Sequence, residues 1–90
     1  MKTIHKQVLD WVGFSELLLY TGAVIVKFDV QHLNPTIWYE FDGCEDLDNR
    51  CTEQRVFKIC ATGEHIGSDM KYVSTCLDRE YVWHLYECMA

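Results

Sequence analysis

The chain has 90 residues, 49% of them hydrophobic, which is enough for one small domain with a single core and too little for two. Its formal net charge of -6 opposes binding to nucleic-acid backbones and to anionic membrane surfaces, so neither is expected as a partner. A protein with a basic surface would instead be attracted.

The amino-terminal segment and the cysteine content together predict a cytosolic protein. Two lysines, Lys2 and Lys6, are followed by no apolar run of signal-peptide length, and no stretch approaches the roughly 18 apolar residues of a membrane span. The five cysteines are an odd number, which favours reduced thiols over a disulfide scaffold.

The first third of the chain contains one strand and one ambiguous segment. Residues 2–9 have β character, whereas residues 10–20 suit either a buried strand or a short helix, because periodicity does not decide for the run Leu17-Leu18-Leu19. Gly13 disfavours a continuous helix and the turn Thr21-Gly22 suits a hairpin, so a strand is preferred.

The clearest strand covers residues 23–31, and a hairpin joins it to the next. One face of this strand is predicted to carry Val24, Val26, Phe28 and Val30, and the other Lys27, Asp29 and Gln31. The Asn34-Pro35 step favours the turn. In the second arm Ile37, Tyr39 and Phe41 are predicted to face the core, and Thr36, Trp38 and Glu40 to face outward.

The second half alternates between loops and strands. Residues 42–54 read as a surface loop with five of the fourteen acidic side chains. Residues 55–61 resume a strand with Phe57, Ile59 and Ala61 inward, and a glycine-containing loop covers residues 62–69. Two closing strands, residues 71–77 and 81–88, are joined by the short connection Asp78-Arg79-Glu80.

These elements predict a mainly β fold: a small antiparallel sandwich or curled sheet of about six or seven strands, with one short helix as the alternative near residues 10–20. Aromatic and β-branched residues continue almost to residue 90, so the last segment is predicted to lie in the sheet. As an exposed terminal edge strand it could pair with a copy of itself in a homodimer.

Several blocks, in order along nearly the whole chain, resemble a family of small tailed-bacteriophage proteins of unknown function. The blocks are residues 1–6 (Met-Lys-Thr-Ile-His-Lys), 22–25, 30–31, Trp38, 56–59, 61–66, 72–75 and 82–87. Two positions depart from the family pattern: Ala61, where glycine is usual, and Glu64, which separates Gly63 from His65. The resemblance implies a phage accessory protein in the host cytoplasm and implies no known activity.

No residue pattern indicates catalysis, a cofactor or a metal. Cys44 and Cys51, with His65, could supply zinc ligands, but six residues separate the cysteines, which is wider than the usual spacing. None of the histidines or cysteines lies in a catalytic signature, so an enzyme is not expected. Close backbone approach at Gly63 makes the loop Thr62, Gly63, Glu64 and His65 a possible ligand loop, against the simpler interpretation of a glycine required by a turn.

The leading functional hypothesis is a non-enzymatic protein that binds a host protein stoichiometrically and inhibits a defence or metabolic complex. Outward aromatic residues would anchor the partner; these are Trp38, Trp83, Tyr81 and Tyr86, with Trp38 as the best single candidate. The acidic residues Asp42, Glu45, Asp46 and Asp48 would steer toward its basic surface. One alternative is a protein that binds a nucleotide-like signal near residues 63–68; two basic residues converging in one cavity would indicate it. The other alternative is a minor virion component.

Overall fold

The computed structural model describes residues 1–43 and 52–89, and every regular element within them is a β-strand. In chain order the strands are β1 (Lys2–Val8), β2 (Phe14–Tyr20), β3 (Val24–Gln31), β4 (Asn34–Asp42), β5 (Thr52–Ala61), β6 (Met70–Asp78) and β7 (Tyr81–Cys88). No membrane-spanning helix is found in these residues.

The seven strands form two antiparallel sheets, which confirms the predicted β fold. Sheet A has the order β1-β4-β3, and sheet B has the order β2-β5-β7-β6. The helical alternative near residues 10–20 is wrong, because β2 alternates with period two and buries Ser15, Leu17 and Leu19.

The core lies between the inner faces of the two sheets. Ile37, Tyr39 and Phe41 of β4 and Phe57 and Ile59 of β5 are buried, as the alternation predicted. Ala61 was also predicted to face inward and is exposed. It is the last residue of β5, and its carbonyl accepts the Glu64 N–H of the following turn, so the strand leaves the core at this point.

A β-bulge corrects the predicted alternation of β3. The register with β4 shifts between Ile25 and Lys27, so Val26 is the extra residue. Ile25 therefore packs against the core, as Phe28 does after the bulge, whereas Val24 and Val26 are exposed.

Thr36 lies on the outer face of sheet A, as the alternation predicted, yet only 1% of its surface is exposed. Lys6 on β1 donates a hydrogen bond to Gln31 on β3, with 2.6 Å between Nζ and Oε1. Lys6 lies opposite Trp38 and Gln31 lies opposite Asn34, so the two side chains meet above the intervening Thr36. A polar pair of edge-strand side chains thus covers this position.

Two turns differ from the sequence prediction. Thr21-Gly22 joins β2 of sheet B to β3 of sheet A, so it crosses between sheets and does not close a hairpin. The tight turn of the β3–β4 hairpin is His32-Leu33, because Asn34 and Pro35 already belong to the β4 ladder opposite Gln31 and Val30.

The terminal strand β7 lies inside sheet B, paired with β5 on one side and β6 on the other. Its predicted place in a sheet is confirmed, but the prediction that it is an exposed edge is wrong. A homodimer cannot form through it without displacing a neighbour. The edge strands are β1 and β3 in sheet A and β2 and β6 in sheet B.

Because neighbouring strands run antiparallel, each connection lies at one of the two ends of the sandwich. One end, here called the turn end, carries residues 9–13 and the two-residue turns 32–33 and 79–80. The opposite end carries the Thr21-Gly22 turn and the beginnings of β5 and β6.

Candidate protein-binding surface

Large apolar side chains are exposed together at the turn end. The exposed fractions are 89% for Val12, 79% for Leu33 and 60% for Tyr81. Trp11 and Trp83, both half-buried, lie beneath them against the core. We call these five residues the apolar tip.

Direct contacts join four of the five tip residues, and the fifth, Val12, follows Trp11 in the chain. The rings of Trp11 and Trp83 have centroids 5.0 Å apart, and Tyr81 stacks on Trp83 at 5.8 Å with an interplanar angle of 20°. The indole Nε1 of Trp11 donates a hydrogen bond to the backbone carbonyl of Leu33 at 3.1 Å. Residues from two connections and from the start of β7 are therefore held together around the Trp11–Trp83 pair.

The backbone of the tip is strained at Leu33. Both residues of its turn have positive φ, 51° at His32 and 68° at Leu33, as in a type I′ turn. Such turns favour asparagine and glycine, because a left-handed conformation costs other residues about 1–2 kcal/mol. A bulky, exposed leucine here benefits neither folding nor solubility.

The rim of the tip is mainly acidic. Asp10 and Glu80 are exposed and Asp78 is half-buried, whereas Arg79 supplies the opposing charge.

Among the described residues, the Nε1 of Trp83 is buried without a hydrogen-bond partner. An unpaired buried donor of this kind costs about 1–3 kcal/mol, so the tip is not optimised for the stability of the isolated chain.

Trp38, the anchor predicted from the sequence, lies elsewhere, on the outer face of sheet A. It is half-buried, with Lys6 and Lys27 opposite it on the neighbouring strands and the Lys27 Nζ 5.6 Å from its ring centroid. Asp42 is exposed on the same strand. Glu45, Asp46 and Asp48 lie outside the described residues, so Trp38 is flanked by lysines in the part of the chain that the structure describes.

Trp83 and Tyr86 do not share a surface. They occupy opposite faces of β7: Trp83 packs toward the core, and Tyr86 lies on the outer face with its ring 5.7 Å from that of Tyr72. The prediction of an outward Trp83 is therefore wrong. Sequence reasoning named Tyr81 and Trp83 but missed Val12 and Leu33, because these two lie in connections, where an apolar residue within a turn segment was the only signal.

In the predicted ligand loop Thr62, Gly63, Glu64 and His65, the side chains of Thr62 and Glu64 already bond to other side chains of the protein. The Thr62 Oγ1 lies 3.0 Å from the His84 Nε2, and the Glu64 Oε2 lies 2.5 Å from the Lys58 Nζ. The Lys58 hydrogen bond lowers the pKa of Glu64, and the same bond raises the pKa of Lys58. Gly63 has a φ of 92°, as a turn requires. The cavity beside the loop is about 180 Å³, which is small for a ligand site.

The described cysteines show no sign of reactivity or of metal binding. Cys60 and Cys76 are buried, and burial raises the pKa of both thiols, that of Cys76 to about 11. No group of three potential metal ligands occurs among residues 1–43 and 52–89. Cys44 and Cys51 lie outside these ranges.

A cleft of about 590 Å³ opens at the opposite end of the sandwich, between the beginnings of β3 and β6. Arg55 and Lys71 both line it, which is the convergence of basic residues expected for a phosphate ligand. Glu87 and Glu53 line it as well. The Arg55 Nε and Nη2 each lie 2.7 Å from a Glu87 carboxylate oxygen, so the charge of the guanidinium is compensated.

The fold and this surface define a small antiparallel β-sandwich with an apolar tip at its turn end. The chain belongs to the family described as Domain of unknown function (DUF7352), whose model matches residues 1–90. Searches of curated proteins and of solved structures found no match.

Proposed function

We propose that this chain acts without catalysis, by stoichiometric binding of a partner protein at the apolar tip. The observation that carries the proposal is the exposure of Val12, Leu33 and Tyr81 on a connected aromatic base. In the phage setting that the sequence resemblance implies, the partner is a host protein complex in the cytoplasm, which the chain inhibits.

The tip has the composition of an interface centre. Binding energy concentrates in a few aromatic and apolar residues held rigidly and surrounded by polar groups. Tyr81, stacked on Trp83, is such an anchor, because its ring loses little freedom on binding. Leu33 projects from a turn whose strain is unexplained by folding, and strained residues cluster at functional sites.

The charges around the tip favour a partner with a basic surface. Asp10 and Glu80 on the rim are exposed, and the whole chain carries -6. Opposite charge on the partner would speed association at low salt. At 0.1 M salt, charges are screened beyond a Debye length of about 10 Å, so the increase in the association rate would be smaller. The partner surface is thus an apolar pocket surrounded by lysine and arginine.

The test compares capture of proteins from a bacterial host lysate by the immobilised chain and by two double variants. One is Val12→Ser with Leu33→Ser; the control is Ile4→Ser with Val24→Ser, since those residues are 57% and 59% exposed on the outer face of sheet A. A Trp38→Ala variant tests the anchor suggested by the sequence.

The captured protein is then purified and titrated against each variant. We expect a saturable complex with one partner per chain, weakened at least tenfold by the tip variant and unchanged by the control. Association should slow at high salt and in an Asp10→Lys, Glu80→Lys variant. Loss of binding in Trp38→Ala, with the tip variant unaffected, would move the interface to sheet A and refute this assignment.

A second candidate function is small-ligand binding in the cleft, favoured by its volume and by Lys71 in its lining, since the charge of Arg55 is already compensated by Glu87. Volumes of about 300–1,000 Å³ are usual for such sites. Native mass spectrometry with ADP as the probe tests it: a bound nucleotide lost in Lys71→Glu supports the candidate. The absence of any adduct at millimolar ADP contradicts a nucleotide site.

A further inference from the structure

The free edge of β2 differs from the other three sheet edges of the described residues. Sheet edges are commonly protected by lysines, bulges or coverage, because unpaired backbone groups would otherwise recruit another strand. β1 has exposed lysines at Lys2 and Lys6. β3 and β6 each contain a bulge and pack against one another along one side of the sandwich.

In the part of the chain that the structure describes, β2 has none of these devices. Its sequence, Phe-Ser-Glu-Leu-Leu-Leu-Tyr, has no lysine or proline, and its register with β5 is regular from end to end. Its single charge, Glu16, accepts a hydrogen bond from Gln54 at 3.2 Å. Phe14 and Leu18 on its outer face are 58% and 67% exposed.

The inner face of β2 holds this edge in place. Leu17 and Leu19 are buried in the core, at 8% and 0% exposure, so the strand cannot slip by one residue without exposing both. The edge is therefore already ordered and presents seven residues of backbone to any strand that pairs with it. Little conformational entropy is lost on pairing.

We propose that β2 pairs with β2 of a second copy of this chain, joining two B sheets into one eight-stranded sheet. A two-fold axis perpendicular to the sheet makes β2 antiparallel to its copy, so identical edges satisfy each other without a separately evolved partner. Phe14 and Leu18 of each copy are then partly covered by the neighbouring side chains of the other copy. This inference does not rest on the proposed function, although β2 begins at Phe14, two residues after the tip residue Val12.

The dimer is expected to be weak. One pair of seven-residue strands buries less than the roughly 1,200 Å² of a stable interface. Each copy also carries a charge of -6, so screening by salt should strengthen association, in contrast to binding of a basic partner at the tip.

Sedimentation velocity from about 5 to about 500 µM spans the weak association expected of an interface this small. The variant Leu18→Lys gives β2 the protection that β1 has. The control is Leu77→Lys, because Leu77 is 73% exposed on the outer face of sheet B but lies on β6. Circular dichroism verifies that both variants fold.

The supporting result is a dimer of the unmodified chain that Leu18→Lys weakens at least tenfold and Leu77→Lys leaves intact. A monomer throughout the concentration range overturns the proposal. Equal loss in both variants also overturns it, because that would indicate packing of one sheet face on another. Hydrogen exchange of the unmodified chain tests the dimer without variants. Pairing protects the edge amides of β2, so these amides must exchange more slowly at high protein concentration.

Discussion

Replacing the strained turn should make the protein more stable and less able to bind its partner. The double substitution His32→Asn, Leu33→Gly introduces the pair that type I′ turns favour, at the positions where φ is 51° and 68°. The hydrogen bond from Trp11 should survive, because its acceptor is the backbone carbonyl of residue 33.

The expected gain follows from the backbone. A left-handed conformation costs a residue such as leucine about 1–2 kcal/mol, and glycine removes that cost while asparagine reduces it. Glycine loses about 0.5–1 kcal/mol of additional conformational entropy on folding. The difference is a net stabilisation of about 1 kcal/mol, or a rise in Tm of about 4–8 °C for a domain of this size.

Urea unfolding followed by tryptophan fluorescence, together with calorimetry, measures the change, and titration with the captured partner measures binding. A Leu33→Ala single variant is the control, because it removes the same apolar side chain and keeps a residue with a Cβ in the left-handed conformation. Destabilisation of the double variant by more than about 0.5 kcal/mol would refute the strain argument. Unchanged partner binding would refute the role of Leu33 in the tip.

Three further predictions concern the rest of the fold. Glu87→Gln should destabilise the protein by about 2–3 kcal/mol in urea unfolding, because Arg55 and Glu87 are only 17% and 15% exposed and the guanidinium would lose its ionic acceptor. Leu85→Ala should cost about 2–5 kcal/mol, since this side chain is fully buried between the sheets; a cost below 1 kcal/mol would contradict the packing. Glu64→Gln should remove a stabilisation present above the ordinary pKa of 4.5 and lost as pH falls through the lowered pKa of Glu64, so the two unfolding curves should converge in acid. That stabilisation is below about 1 kcal/mol because the Glu64 side chain is 39% exposed, and a difference between the two curves that does not change with pH would contradict it.

Alternating patterns predicted the strands well because burial on one face imposes a period of two. Ile37, Tyr39 and Phe41 follow that period without interruption, and all three are buried. The pattern failed where backbone geometry changed the period, as at the bulged Val26. The apolar run 24–26 contains nothing that distinguishes a bulge from a regular strand.

Long-range pairing was the other limit of the sequence. Alternation shows that residues 81–88 form a strand but not that β5 and β6 lie on either side of it, so the edge was assigned to the wrong strand. Thr36 was likewise assigned outward correctly by parity, yet side chains from two other strands cover it. The tip depends on two connections and the start of β7 meeting at one end, which no local pattern contains.

Edge pairing and tip binding would together determine the architecture of the complex. Because β2 and its copy run antiparallel, the turn end of one sandwich would lie beside the opposite end of the other, and the two tips would point in opposite directions. A dimer could then hold two partners but could not place both tips on one compact partner.

We therefore expect two partners per dimer in the unmodified chain and one partner per monomer in Leu18→Lys, with equal affinity per tip in solution. On a surface carrying many immobilised partners, the dimer should dissociate more slowly than Leu18→Lys, because two linked sites rebind at high effective concentration. Equal dissociation from dense and sparse surfaces would show that the two tips do not act together.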